Sequence, residues 1–487
     1  MIAWQSSMLK QRALIATAWS ALEQIGSGGI QTLFMLVFAR ALTPEDFGVV
    51  ASAILVIGFG ERLALFGVDS ALVQRSSVDS RAFSTSLWLV AVSATLTALV
   101  VLCVAPMIAT LFGDEAIKIA LRYLTVSMLF TCLGAVFASM LRRNLRMKTL
   151  AQRTLIANLV AGLVATAFVL KGFGYIALVI QAVVASALTL FLTASLSGIR
   201  PALTFDRTTA CELLKFGMPT AGANILTQYN RECPRLFVGV FLGPQALGFF
   251  SMATRIVNLV VNISGLTISK VSLPFFSEVR RGSGKLDEAF LRVASLSAAV
   301  VLPCFAIIGL TRDSFVHVFL GPQWISVPTL LLLLSPAGLL TALNFINGSA
   351  LMAAGLPGLR FRLAIARALV GTFLLIALTP HGAAWAAAAL LLRGILVEPL
   401  QLGYLLSKLR LSASTYLIRV SWPAAAACAM IIVGSVVIGF LPPDMYPLIE
   451  LLILGSVMVG IYTLFLTMFD IRIRAELLDV AGLWRRR

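Results

Sequence analysis

Leu242-Gly243-Pro244-Gln245-Ala246 is a turn between two long apolar runs, and the stretch around it, 217–278, decides how the chain is read. A Gly-Pro pair punctuates a helix, so the stretch predicts two helices joined as a hairpin. Each helix carries a polar stripe. Thr220, Asn224, Thr227, Arg231 and Arg235 recur every three or four residues on the first. Ser251, Arg255, Asn258, Asn262, Gly265 and Ser269 do so on the second. Such spacing places each set on one helical face. An ionisable group at membrane depth costs a few kcal/mol, so it faces a partner or a wet cavity rather than lipid.

The hairpin has an echo 200 residues earlier. Pro244 falls on Pro44 and Gly248 on Gly48, within Thr43-Pro44-Glu45-Asp46-Phe47-Gly48. Ser20, Gln24, Ser27 and Gln31 stand where Thr220, Asn224, Thr227 and Arg231 stand. Two homologous lobes with parallel helix order follow, each opening with this hairpin. They differ in charge: Arg231 answers Gln31, and Arg255 answers Leu55.

Composition gives the class. Of 487 residues, 59% are hydrophobic and 12% charged, with a mean hydropathy of +0.97. Apolar runs of about 20 residues, each long enough to span a bilayer, recur from Ala13 to Phe469. The expected fold is an all-α polytopic membrane protein with about 14 spans. The order is a first lobe at 1–197, a linker at 198–212, a second lobe at 213–410, and an extra helix pair with a basic tail at 411–487. The expected spans include 47–72, 155–170, 290–310 and 368–378 with flanks. Residues 1–12 do not read as a cleavable signal, because the apolar run behind them is long and has no small-residue cleavage site.

The net charge of +17 points to membrane topology rather than nucleic acid, because Lys and Arg alternate between loops. Lys10, Arg12, Arg75, Arg81, the Arg142 to Arg153 cluster, Arg200, Arg207, Lys215, Arg280 to Lys285, Arg360 to Arg367, Lys408, Arg410 and the tail fall on one side. The positive-inside rule puts both termini in the cytoplasm. Cys103, Cys132, Cys211, Cys233, Cys304 and Cys428 have no CxxC spacing and read as small hydrophobes. His317 and His381 are isolated, so neither metal nor cofactor is expected. No G-x-S-x-G, HExxH or Walker A pattern occurs, and the loops are too short for a catalytic domain, so no enzyme is expected.

The intramembrane polar residues divide in two. Arg62, Asp69, Lys270, Arg393 and Glu398 read as flank residues that pair locally or snorkel. Arg231, Arg235 and Arg255 exceed the one nearby acid, Glu232, and an excess of buried cation calls for an anion. Arginine suits phosphate because its fork engages two oxygens. They are the candidate headgroup site, with Asn224, Asn258, Asn262, Gln24 and Gln31 as sugar contacts. Glu23, Glu61 and Glu232 are candidates for ion coupling, since a carboxyl in low dielectric protonates readily unless paired. The alternative for Glu232 is that it only neutralises Arg231 or Arg235.

The opening Trp19-Ser20-Ala21-Leu22-Glu23-Gln24-Ile25-Gly26, then Ala39-Arg40-Ala41-Leu42-Thr43-Pro44-Glu45-Asp46-Phe47-Gly48, resembles bacterial polysaccharide exporters of the Wzx kind. Phe66-Gly67-Val68-Asp69-Ser70-Ala71-Leu72-Val73-Gln74-Arg75 and Phe216-Gly217-Met218-Pro219 extend the resemblance. It implies membership of the multidrug/oligosaccharidyl-lipid/polysaccharide superfamily, and two bundles around a central cavity working by alternating access. The implied substrate is undecaprenyl-pyrophosphate-linked oligosaccharide, moved to the outer leaflet of the bacterial inner membrane for exopolysaccharide, capsule or O-antigen synthesis. Membrane lipids, a polysaccharide polymerase and a chain-length regulator are the implied partners. Two rivals stand beside this reading: an ion-coupled multidrug exporter of the same frame, and a non-transporting scaffold for a glycan assembly complex. The first favours acids in its cavity, and the second leaves the polar stripes without a purpose.

Overall fold

The computed structural model describes residues 2–75, 78–262, 272, 276, 285–442 and 445–469. Among them every regular element is helical. Gly265, Ser269, Lys270, Arg280, Arg281, the Pro443-Asp444 turn and the tail lie outside the described residues. The chain divides into two compact units, Met1–Ser251 and Met252–Arg487.

The first unit holds α1 (Ile2–Ala41), α2 (Pro44–Leu65), α3 (Val68–Gln74), α4 (Ser80–Phe112), α5 (Ala116–Arg143), α6 (Met147–Leu170) and α7 (Tyr175–Ser197). It also holds most of α8 (Arg207–Val260), which is interrupted at Gly243. Twelve helices among the described residues are long and apolar enough to cross a membrane. One of these, α8, runs 54 residues, which is too long for a single crossing. A methyl group on Gly239 would lie 3.1 Å from the Leu247 side chain, although eight residues of straight helix rise about 12 Å. The chain therefore reverses at Gly243, whose φ of 78° is left-handed and suits glycine. This is the expected hairpin, with legs 207–242 and 244–260. Counting both legs makes thirteen among the described residues, and the forty-residue α1, which is long enough but not among the most apolar, brings the long helical segments to the expected fourteen.

Local chemistry sets where α2 begins and ends. Thr43 is its N-cap and accepts from the Asp46 amide at 3.2 Å, while Asp46 accepts from the Thr43 amide at 2.9 Å. This capping box is followed by Pro44 at the first helical position, and by Glu45 and Asp46 against the positive end of the helix dipole. Asp46 also accepts from the Tyr175 amide at 2.9 Å, so one carboxylate ties the starts of α2 and α7 together. Asp46→Ala is expected to lower stability by about 1–2 kcal/mol, the usual cost of a lost cap, read as an earlier thermal transition of the purified protein. The expected span 47–72 is broken: Phe66 and Gly67 both have positive φ, ending α2 and starting the short α3.

Two other boundaries move. The basic cluster expected as a loop up to Arg153 is partly helix. The chain turns at Leu145, with φ 54°, α6 starts at Met147, and Arg153 is buried against Thr193. The linker is docked on α4. Trp88 Nε1 donates to the Ala202 carbonyl, the Ala202 amide to Ser84 Oγ and the Asp206 amide to Thr85 Oγ1, at 2.9–3.2 Å. Hydrogen bonds from Thr209 and Thr208 hold the Asp206 carboxyl down to about 2.

The second unit continues with α9 (Leu286–Leu310), α10 (Arg312–Phe319), α11 (Val327–Ala353), α12 (Pro357–Leu378), α13 (Ala383–Lys408), α14 (Ala413–Phe440) and α15 (Pro447–Phe469). The outer loop expected at 311–328 thus contains a helix, α10. The last pair, α14 and α15, packs on α9 through Ala426, Met430, Met458 and Tyr462, with the Tyr462 hydroxyl donating to the Ala299 carbonyl at 2.9 Å. Pro357 opens α12, so Arg360, Arg362 and Arg367 are helical rather than in a loop.

Candidate functional site

The first leg of α8 holds a ladder at successive turns. Arg231 Nη2 donates to Gln228 Oε1 at 2.8 Å, and its Nε lies 3.3 Å from Glu232 Oε1. Arg235 Nη1 reaches Glu232 Oε2 at 3.0 Å. One carboxylate therefore pairs with two guanidiniums, and Glu232 neutralises only one of the two charges. The Glu232 side chain is 10% exposed and that of Arg231 63%, so the acid is the buried rung and Arg231 the projecting one. Asn224 and Thr227 are exposed on the same stripe, one and two turns before Arg231. The ladder leaves one net positive charge on a leg of a membrane hairpin.

On α1 the predicted stripe separates into two faces. Glu23 and Ser27 turn toward α6: Thr154 Oγ1 donates to Glu23 Oε1 at 2.8 Å, and Asn158 Nδ2 to Ser27 Oγ at 2.7 Å. Gln24 and Gln31 are exposed. The packing is tight enough that a methyl group on Gly162 would overlap the Phe34 ring. Glu61 lies on α2, hydrogen-bonded to Thr131 and beside Arg62. Thr154, Asn158, Thr131 and Gln228 were not among the expected residues. Helical period gives a residue's face but not the helix it meets.

Arg255, Asn258 and Asn262 fall in the second unit and are exposed there. That unit contains a further polar group. Arg367 Nη2 is 3.0 Å from Glu398 Oε1 and donates to Gln401 Oε1 at 3.3 Å. Glu398 thus faces α12 rather than snorkelling as expected. Proline at the first position of α12 was the sequence signal that Arg367 lay inside a helix. Among the described residues no group of His, Cys, Asp and Glu is placed to hold a metal ion.

A family described as "Polysaccharide biosynthesis protein" matches residues 37–328, more than half the chain. The chain belongs to this family. It is 25% identical over 326 residues to the teichuronic acid biosynthesis protein TuaB of Bacillus subtilis, covering 64% of this chain and 63% of that protein. It is 24% identical to the succinoglycan biosynthesis transport protein ExoT of Rhizobium meliloti, over 66% of each. It is 21% identical to the lipopolysaccharide biosynthesis protein WzxC of Escherichia coli, over 73% of this chain and 72% of that one. The match therefore spans just under two thirds of the first two relatives' length. In fold, the chain resembles the lipid II flippase MurJ in an inward closed conformation, with a TM-score of 0.78 at 17% identity over 94% of this chain and 98% of MurJ. An inward-facing multidrug resistance MATE transporter of the MOP superfamily gives 0.62 at 15% identity, over 79% and 96%. The family member is thus a multi-pass membrane protein with a fold found in transporters of that superfamily.

Proposed function

We propose that the chain is a flippase, not an enzyme, that carries undecaprenyl-pyrophosphate-linked oligosaccharide units across the bacterial inner membrane. The observation that carries this reading is the α8 ladder. A buried carboxylate pairs with both Arg231 and Arg235, and Arg231 projects on the exposed stripe that carries Asn224 two turns earlier, with one positive charge in excess of the acid. A preset guanidinium suits a pyrophosphate, and neighbouring amides suit hydrated sugars. Arg255, Asn258, Asn262, Gln24 and Gln31 are proposed as further contacts, and Glu23, Glu61 and Glu232 as the acids to test for ion coupling. Relatives named for teichuronic acid, succinoglycan and lipopolysaccharide synthesis agree with a glycan cargo.

Both termini are proposed to be cytoplasmic, from the alternation of Lys and Arg between loops. A reporter at Gly321-Pro322 is expected to be periplasmic, and one after Arg487 or at Gly282-Ser283, positions outside the described residues, cytoplasmic. A polymerase and a chain-length regulator are the proposed protein partners. The deciding experiment deletes the gene and follows the lipid-linked oligosaccharide. Surface polymer is expected to disappear while the lipid-linked unit accumulates in the inner leaflet, with restoration by the intact gene. Unchanged polymer with altered resistance to cationic drugs would replace the reading with the drug-exporter one. Lost polymer without accumulation would favour the scaffold.

A further inference from the structure

The turn between α5 and α6 carries Arg142, Arg143, Arg146 and Lys148, and one of these cations is spent. Arg143 Nη1 donates to the carbonyls of Leu72 and Arg75, at the end of α3. Arg142, Arg146 and Lys148 stand exposed around Leu145. None of the three is ion-paired among the described residues.

Helix α6 begins here with the wrong charge. The first amides of a helix have no intrahelical partner and form the positive end of its dipole, where acids belong. The first turn of α6 has no acid, Arg146 stands at its cap without a side-chain hydrogen bond, and Lys148 lies within the turn. The first intrahelical bond runs from the Leu150 amide to the Arg146 carbonyl at 3.3 Å. An uncapped helix start ringed by cations suits an anion, and phosphate above all.

A buried side chain points the same way. Arg153, about two turns into α6, is 7% exposed. Its Nη1 donates to Thr193 Oγ1, but its Nε is buried without a partner. Glu23 and Arg142 both act on its charge. Glu23 nevertheless makes no ion pair with it among the described residues, and accepts instead from Thr154. Thr193 lies four residues before the end of α7, about 6 Å along the axis. The Arg153 guanidinium therefore reaches toward the end of the bundle that carries Arg142. A buried cation without its full set of acceptors is costly, and an anion at the α6 start would offset that cost.

We propose that the junction of α1, α5 and α6 binds the phosphate of an anionic phospholipid, with Arg142, Arg146, Lys148 and Arg153 around the headgroup. A lipid fits better than a free anion because the surroundings are those of a bilayer interface. Lys148 Nζ lies 5.6 Å from the centre of the Trp19 ring, and tryptophan beside cations belongs at headgroup level. Leu145 projects from the same turn, 45% exposed, as an apolar tip among the cations. In the orientation proposed above the junction faces the inner leaflet, whose anionic lipids attract basic segments.

The test titrates the delipidated full chain in detergent with phosphatidylglycerol and, separately, phosphatidylcholine, and reads retained lipid by native mass spectrometry. Phosphatidylglycerol should bind about tenfold or more tighter. Arg146→Gln with Lys148→Gln should remove most of that preference, and Arg153→Gln should weaken it. The control removes the same charge elsewhere, by Lys408→Gln with Arg410→Gln. Lys408 also lies over an aromatic ring, Tyr404 at 5.8 Å, but at the end of α13, where the helix dipole favours cations. This control should retain phosphatidylglycerol as the parent does. Equal losses in the two double variants would mean general attraction to basic loops and overturn the site. A parent without preference between the lipids, or a folded Arg153→Gln protein that binds like the parent, also overturns it. Excess inorganic phosphate at matched ionic strength should leave the lipid bound, and full displacement would overturn the lipid in favour of a free anion. Should Arg153→Gln fail to fold, the double variants decide, since they change only exposed side chains. Lipid retention needs neither cargo nor transport, so it holds or fails independently of the flippase reading.

Discussion

Alanine in place of Glu398 is expected to destabilise the second unit by about 3–5 kcal/mol, the usual cost of leaving one partner of a buried ion pair alone. Arg367 stands ten residues into α12, about 15 Å from its start, and its side chain is only 22% exposed against 13% for Glu398. Both side chains are largely removed from solvent, so water is poorly placed to replace the lost carboxylate. Glu398 also feels the charge of Arg393, whose stem packs on Gly371. Removing it takes from Arg367 the carboxylate it pairs with and from Arg393 a nearby opposite charge. Arg367→Met combined with Glu398→Leu should recover most of the loss, since matched apolar replacement of a buried pair is often neutral or better. Thermal unfolding in detergent, followed by protease sensitivity of the second unit, reads both. A Glu398→Ala protein that melts like the parent would show that the pair does not clamp α12 to α13. A double variant no more stable than the single would mean that the side chains act separately.

Arg367 also marks the limit of what sequence pattern reveals. The hairpin was legible because Gly243-Pro244 interrupts two apolar runs, and only a backbone reversal satisfies both. The echo at Thr43-Pro44 was legible because residue identity and spacing repeat together. Charge counting, by contrast, assigns Arg and Lys to loops, and it drew Arg153 and Arg367 there although both are helical. What overrides it is a partner on another helix, Thr193 for Arg153 and Glu398 for Arg367. Helical periodicity carries no information on that partner. Gln24 and Ser27 shared a predicted stripe for the same reason, yet Ser27 turns to Asn158 while Gln24 is exposed. The close packing of Gly48 on the Pro244 carbonyl, and of Gly248 on the Pro44 carbonyl, was likewise invisible, because the shift relates the hairpins without saying that they touch.

Arg231→Gln is expected to impair export by roughly thirtyfold or more at low substrate, the equivalent of about 2 kcal/mol for a lost phosphate contact. Arg231→Lys should fall between, because it keeps the charge and loses the two-pronged fork. The ladder makes the competing account sharper. If Arg231 only balances Glu232, its removal leaves Glu232 still paired to Arg235 at 3.0 Å, and the loss should be small. If it does matter through pairing, Arg231→Gln with Glu232→Gln should restore what the single change removed. A headgroup contact predicts neither result. The double variant should remain impaired, because no guanidinium then projects from position 231 on the stripe that carries Asn224. Export is read as the rate at which lipid-linked oligosaccharide reaches the outer leaflet, normalised to protein level in the membrane. Full recovery in the double variant, at normal insertion, would remove Arg231 from the headgroup site and leave Glu232 and its two arginines as a structural brace of the hairpin.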